Sequence, residues 1–425
     1  MNARPRITFI THEATRTGAP RVLLSLMQWL KANTDFQMST LAARPGPLLP
    51  EFAALGQLVV LDGDWRHFHI LQRGIRLAVH MTTGNDRPFD SFVHRASGTA
   101  LWMARMTSLK QLGDCDLVYA NSLQSGWGVR SMRSQAPLLA HLHELGDALL
   151  DPYERGNVET MVGRADHIIV PAKAVKELLV NELGVTESRI SVHYPFIDVE
   201  AHQPDATARK RIREKLGIPG NAIVVGMSGT FIIRKAPDRF IDIAAKVLAS
   251  APETPVHFMW VGGTTETEYG RYMLTDARRL GISERFHFVR ETTDPRPYLA
   301  ALDIFMLTSR SDPFPLVCLE AAVQAETPII CFDQAGGMPE LVGDTSGMVV
   351  PYLDTDAAAD AILRLVAEPD LRRKLGKQAS ETVRAHHDIS QAAPGIAAVM
   401  VGILRDGPAK TRSHQLSRSA PGPST

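Results

Sequence analysis

Twice along this chain a short apolar run leads through a polar, glycine-bearing loop into a segment with helical apolar spacing. Ile7, Thr8, Phe9 and Ile10 form the first run, the loop over 11–20 carries Gly18, and Leu23, Leu24, Leu26, Met27 and Leu30 recur at helical spacing over 21–30. Past the midpoint, 223–227 is again apolar, the loop after it holds Gly229, and a helical stripe runs over 237–248. A strand that hands over to a helix cannot close a hairpin, so its next partner lies parallel to it and the intervening helix covers a sheet face. The pattern predicts an α/β fold with mainly parallel sheets clothed by helices.

The rest of the chain repeats the scheme. Strands are expected at 36–41, 57–61, 91–93, 117–120, 137–141 and 167–170, then at 256–261, 286–289, 304–307 and 328–332, with helices between most of them. Over 191–204 the pattern becomes extended and polar, as in a linker, before a helix at 206–216 that Gly217 would stop. With 425 residues the chain exceeds one ordinary core. The expected division is a first domain over 1–200 and a second over 201–385. A terminal helix over 386–403 packs back on the first domain. The tail over 404–425, rich in Ser, Pro, Gly, Arg and Lys, is expected to be disordered.

Lys plus Arg and Asp plus Glu both number 46, so no whole-molecule attraction to nucleic acid is expected and any anion site must be local. Cys115, Cys318 and Cys331 lack paired spacing and read as reduced core residues. No apolar run reaches the roughly 20 residues of a membrane span, and the amino terminus lacks a cleavage region, so a cytoplasmic location is expected. Trp65, Phe68, Ile70, Leu71, Leu101, Trp102, Met103 and Met106 read as packing of the first core, with an acceptor- or membrane-facing surface as the alternative. His67 and His69 read as surface residues. Neither the dinucleotide G-x-G-x-x-G fingerprint nor a P-loop is present, which disfavours a nicotinamide enzyme or a kinase.

Three segments carry chemistry. Ser309 to Glu320 follows an expected strand and runs into a helix, whose first amides near Phe314, Pro315, Leu316 and Val317, with the helix dipole, suit an anion. Asp312 and Glu320 are carboxylates able to accept several sugar or ribose hydroxyls; the plain alternative is that Asp312 caps the helix and Glu320 is solvated. Arg234 and Lys235 follow the glycine turn at Gly229 and precede a helix begun by Pro237, a placement suited to a diphosphate. His141 and His143 would share one face if their strand continues, and this is not the zinc-protease pattern. No metal site is expected. Gly18 permits close approach of a ligand, and the turn Gly336-Gly337-Met338-Pro339-Glu340 is a weaker signal of the same kind.

Taken together these segments resemble the retaining glycosyltransferase family 4, the group 1 glycosyltransferases. The run from Ser311 to Glu320 resembles the family's E-x7-E region, with Asp312 in place of the first Glu and Glu320 as the second. Gly226 to Lys235 resembles its glycine turn and diphosphate-binding motif, with Thr230 where an Arg is common and Arg234 as its substitute. The resemblance implies a GT-B architecture of two facing Rossmann-like domains and no cofactor or catalytic metal. It implies a nucleoside diphosphate sugar as donor and a saccharide or lipid-linked saccharide as acceptor, used at the inner-membrane surface. By likeness, His143 and Asp312 approach the donor sugar, Arg234 and Lys235 stabilise the departing diphosphate, Gly18 and Gly229 admit it, and Glu320 binds the ribose. The reaction would be a front-face hexosyl transfer with retention. The same architecture also serves sugar-nucleotide 2-epimerases, phosphorylases and noncatalytic binding proteins.

Overall fold

The computed structural model describes residues 4–61 and 109–407. The expected strand at 91–93, the aromatic and apolar residues from Trp65 to Met106, His67, His69 and the tail beyond 407 lie outside the described residues.

Thirteen strands are seen among the described residues. The first seven are β1 (Arg6–Glu13), β2 (Gln37–Arg44), β3 (Gln57–Val60), β4 (Leu117–Asn121), β5 (Leu138–His141), β6 (His167–Val170) and β7 (Ile190–Val192), in one sheet of order β3-β2-β1-β4-β5-β6-β7. The remaining six are β8 (Ile223–Ser228), β9 (Val256–Val261), β10 (Phe286–Val289), β11 (Ile304–Leu307), β12 (Ile329–Phe332) and β13 (Gly347–Val350). Their order is β10-β9-β8-β11-β12-β13. Pairing is parallel, as in Ile7 opposite both Met38 and Leu117, and in Val225 opposite both Phe258 and Ile304. The fold is thus α/β with two helix-flanked parallel sheets, the GT-B plan.

The chain divides into two compact units, Met1–Leu142 with Pro152–Ile168 and Ala398–Thr425, and His143–Asp151 with Ile169–Ala397. In the first, Ile7, Phe9, Leu23, Leu26 and Tyr119 are fully buried. In the second, Phe240 lies 5.7 Å from Phe258 and 5.6 Å from Trp260, edge to face, in a core that Phe305 and Phe332 extend. Such strands are buried on both faces, which is why they read as continuous apolar runs without alternation.

Three local expectations shift. The first helix spans Gly18–Asn33, so Gly18, Ala19 and Pro20 belong to its first turn and not to the loop; a proline's missing N–H costs nothing where the helix has no acceptor for it. The stretch read as a linker contains β7 and a 3-10 turn at Glu200–His202. β13 escaped notice because it opens on Gly347 and its middle residues stay partly exposed, so it lacks the continuous apolar run of its neighbours. Cys318 and Cys331 are buried, whereas Cys115 is only half-buried.

Candidate functional site

In a doubly wound parallel sheet the right-handed crossovers that run outward one way place their helices on one face, and those that run the other way place theirs on the opposite face. The loops at the carboxyl ends of the two central strands therefore diverge and leave a crevice. In the second sheet those neighbours are β8 and β11. The loop after β8 bears Gly229 and a 3-10 turn at Ile233–Lys235, and the loop after β11 bears Ser309 to Pro315. Strand order alone brings together side chains 77 positions apart in the chain.

Lys235 Nζ donates to Asp312 Oδ2, and Arg234 Nη1 stands 3.5 Å from the same oxygen. Arg234 also donates to the Ser311 carbonyl at 2.8 Å, and Ser309 Oγ donates to Asp312 Oδ2 at 3.2 Å. The side chains of Lys235 and Asp312 are 12% and 8% exposed, so the pair is largely desolvated, while Arg234 keeps 41% exposure. Burial pushes the Asp312 carboxyl up, but the charges of Lys235 and Arg234 and the bonds from Lys235 and Ser309 outweigh it and hold the group below its ordinary value.

The backbone enforces this grouping. A Cβ on Gly229 would press on the Lys235 stem at 3.3 Å, so the glycine lets the lysine lie back along the turn. Ala236 adopts φ 54°, which turns the chain out of the 3-10 turn into the helix Pro237–Ser250. On the other side, Asp312 N–H donates to the Ala335 carbonyl at 2.7 Å and Gly337 N–H to the Pro313 carbonyl at 2.9 Å. Gly336 sits at φ 140°, and a Cβ there would fall 1.8 Å from the Asp312 carbonyl oxygen. The glycine pair thus lets the β12 loop lie against the Asp312 loop. Arg310 ties that loop to the helix after β8 through a fork on Asp238, at 2.9 and 2.5 Å.

Asp312 does not cap the helix. The helix is Leu316–Ala325, its N-cap is Pro315, and no side chain caps it; the carboxylate instead points back at Lys235. Nor is Glu320 solvated: it is 2% exposed. Its Oε1 lies 3.7 Å from His202 Nε2, and His202 Nδ1 is 2.8 Å from the Asp198 carbonyl. Phe314 is buried too, its ring 5.4 Å from His387 and 5.6 Å from Tyr194. Leu316 and Val317 open the helix, a half-exposed first turn beside the lysine loop.

The two histidines separate. β5 ends at His141, so they do not share a strand face. His141 is 2% exposed, and its Nδ1 is 2.6 Å from Tyr119 Oη, whose own ionisation burial pushes far up. His143 lies half-buried in the following loop and belongs to the second unit, its backbone N–H donating to Glu144 Oε2 at 2.8 Å. Gly18 lies in the first unit, at the corresponding place in its sheet. It opens the helix after β1, Asn121 at the end of the neighbouring β4 donates to the Ala19 carbonyl at 3.0 Å, and nothing lies within 4 Å of where its Cβ would be.

The sequence reading did not single out Ser309 as a partner of Asp312, nor His202, Tyr194, Arg310 or Asp238. None carries a local signal, since each matters only through a residue distant in the chain. Among the described residues no group of three or more His, Cys, Asp or Glu is placed to hold a metal, and no helix is long and apolar enough to cross a membrane.

A family model described as Glycosyl transferases group 1 matches residues 208–382, and one described as Glycosyltransferase Family 4 matches residues 17–201. A D-inositol 3-phosphate glycosyltransferase of Corynebacterium jeikeium is 31% identical over 289 residues, which cover 62% of this chain and 67% of that protein. The lipopolysaccharide core biosynthesis glycosyltransferase LpsE of Rhizobium meliloti is 32% identical over 171 residues, 40% of this chain and 47% of that protein. Across the first curated relatives the match spans 68%, 53% and 64% of their lengths. Among solved structures, Anabaena HepE in complex with UDP and glucose superposes with a TM-score of 0.73 at 19% identity, covering 93% of this chain and 99% of that one. At that identity the likeness shows the fold.

Proposed function

The chain belongs to the group 1 glycosyltransferases, and from that premise we propose that it transfers a hexosyl group from a nucleoside diphosphate sugar to an acceptor hydroxyl with retention of configuration. The observation that carries the reading is the cationic pair Arg234 and Lys235, held beside Asp312 and next to an uncapped helix start at the switch point of the second sheet.

A departing nucleoside diphosphate gathers negative charge as the glycosidic bond breaks. A largely desolvated ammonium, a guanidinium fork and the first amides of the helix Leu316–Ala325 meet that charge without reorganising. Lysine has three donors, so Lys235 keeps its bond to Asp312 while donating to a phosphate oxygen. The bond from the anomeric carbon to the diphosphate oxygen breaks, the bond to the acceptor oxygen forms on the same face, and the acceptor proton passes to the leaving diphosphate. No side-chain nucleophile is required, and Asp312, ion-paired to Lys235, is poorly placed to act as one. Asp312 and His143 receive the sugar's hydroxyls; Glu320 receives those of the ribose; Gly229 leaves room for the phosphates, and in the first unit Gly18 leaves its helix start open to a ligand.

The acceptor assigned here is a saccharide or lipid-linked saccharide in surface polysaccharide or glycolipid assembly, met in the cytoplasm at the inner-membrane surface. LpsE, with its role in lipopolysaccharide core biosynthesis, supports that direction. The division into an acceptor-side domain over 1–200 and a donor domain over 201–385 belongs to the same reading.

The test pairs UDP-, GDP- and ADP-sugars with lipid-linked and soluble acceptors and reads products by mass. A new glycoside whose anomeric configuration matches the donor is expected. A donor epimerised without acceptor, or turnover that requires free phosphate, overturns the assignment. Glu320→Gln should weaken nucleotide binding at least tenfold; unaltered donor affinity removes Glu320 from the ribose site.

A further inference from the structure

The cationic turn Ile233–Lys235 and the loop after β11 exchange donors in both directions. From the turn, Lys235 Nζ donates to Asp312 and Arg234 Nη1 to the Ser311 carbonyl at 2.8 Å. In return, three successive carbonyls of the turn each receive a donor from the loop. Arg310 Nη1 donates to the Ile233 carbonyl at 2.8 Å, the Arg310 backbone N–H to that of Arg234 at 2.8 Å, and Thr308 Oγ1 to that of Lys235 at 3.1 Å. The first of these carbonyls also accepts from Ala236 N–H at 3.0 Å. We propose that Arg310, assisted by Thr308, is a positioning residue for the transfer: it braces the turn so that Lys235 and Arg234 are already aimed when the diphosphate departs.

The brace spans a strained corner. Between the turn and the helix Pro237–Ser250 stands Ala236, fully buried at φ 54° and ψ 55°, a left-handed conformation that is unfavourable for a residue with a Cβ. Arg310 holds the chain on both sides of it. Its guanidinium reaches the Ile233 carbonyl before the corner and closes a fork on Asp238 after it, at 2.9 and 2.5 Å. Tyr269 Oη donates to Asp238 Oδ1 at 3.3 Å, and Tyr352 Oη to the Arg310 carbonyl at 3.0 Å, so both partners are themselves anchored. A planar guanidinium serves a carboxylate and a carbonyl at once, whereas an ammonium is a compact charge without that fixed geometry.

These contacts give Arg310 a role different from that of its neighbour. Asp238 occupies its fork, and its side chain is 25% exposed against 41% for Arg234. Arg310 is thus engaged with the protein, while Arg234 and Lys235 face the phosphate. Coulomb attraction acts over several ångströms, so a loosened turn still binds a diphosphate; stabilising the charge that develops as the bond breaks needs donors aimed at its oxygens beforehand. Loss of the brace should therefore lower kcat more than it weakens donor binding.

The inference rests on the transferase reading, and its test separates the two. Full-length wild type, Arg310→Ala and Arg310→Lys are compared with a donor and acceptor pair that yields product, and with UDP, GDP and ADP by calorimetry and phosphorus NMR. For Arg310→Ala, kcat should fall about 10- to 100-fold with donor KM changed less than about threefold, and Arg310→Lys should recover only part of the loss. The β-phosphorus resonance of the bound nucleotide should broaden or move toward its free position in Arg310→Ala. In a Lys235→Met background the same substitution should have an effect on kcat at least about threefold smaller, because it acts through the lysine. Where Arg310→Ala does not fold, Thr308→Val removes one donor to the turn and carries the same comparison. The role is overturned if kcat per folded molecule is unchanged while only the urea midpoint falls, as a merely stabilising bridge requires. It is also overturned if donor KM alone rises, which makes Arg310 a direct phosphate ligand, or if the two substitutions multiply in the double variant. Failure of all three nucleotides to bind counts instead against the transferase reading.

Discussion

Lys235→Met keeps most of the aliphatic stem that lies along Gly229 and removes only the charge. Asp312 would then remain buried with Arg234 at 3.5 Å and Ser309 at 3.2 Å as its partners. Breaking a buried ion pair from one side costs about 3–5 kcal/mol when nothing replaces the lost partner. Because a guanidinium and a hydroxyl remain, a stability loss nearer 2–3 kcal/mol is expected, measured as a lower urea midpoint at unchanged slope. Catalysis loses a donor aimed at developing negative charge, roughly 2–4 kcal/mol, which is about a 30- to 900-fold fall in kcat/KM. The two effects separate in Lys235→Met combined with Asp312→Asn. The double variant leaves no unpaired buried carboxylate, so its stability should recover by at least half while its activity stays low. Wild-type kinetics in the single variant, or activity that returns together with stability in the double, would refute the assignment of Lys235 to the diphosphate.

Gly336→Ala places a methyl group 1.8 Å from the Asp312 carbonyl at φ 140°, so it should lose roughly 2–4 kcal/mol of stability together with most activity. Gly18→Ala meets open space inside a helix turn, and should be neutral or up to about 1 kcal/mol more stable; weakened donor affinity in that stable protein would show that a ligand passes over Gly18, and unchanged affinity would remove it from the site. His287 is lowered to about 4 by burial and by neighbouring His257, whose ring nitrogen lies 2.9 Å away. The unfolded chain therefore binds a proton that the native chain refuses between the ordinary histidine value and about 4, so stability is complete above pH 6.5 and falls as pH drops through that window. Urea midpoints at pH 7 and pH 5 should differ less in His287→Gln than in the wild type, and equal differences would contradict the pairing. Glu340→Gln leaves one oxygen to serve three donors, for a loss of about 1–3 kcal/mol; a double-mutant cycle with Tyr194→Phe that shows no coupling would mean the Tyr194 bond contributes nothing.

Element type was legible because it is a local property. The strands Val256–Val261, Phe286–Val289 and Ile304–Leu307 and the helix Leu316–Ala325 stand where the apolar runs and helical spacing place them. The parallel α/β class followed from alternation alone. The helix at Gly18 was read three residues late because its first turn, Gly18-Ala19-Pro20, carries none of the bulky apolar residues that mark the stripe from Val22 to Leu30. β7 and β13 were missed because Ser191 interrupts the one and Gly347 opens the other, so neither shows a full apolar run.

The family motifs could be read along the chain, since Gly229, Arg234, Lys235, Asp312 and Glu320 lie in two short segments. Their meeting could not. Lys235 reaches Asp312 only because β8 and β11 are neighbours in a sheet whose order departs from chain order. That order is decided by which apolar faces bury one another, a sum over residues far apart. The same non-local sum makes Asp312 the lysine's counter-ion and not a helix cap, buries Glu320 beside His202, and engages His141 with Tyr119 while His143 stays in the loop. Side-chain chemistry and local periodicity are written residue by residue; ionic partners and burial are set by the packed chain, where charge separations of a few ångströms decide what a carboxylate does.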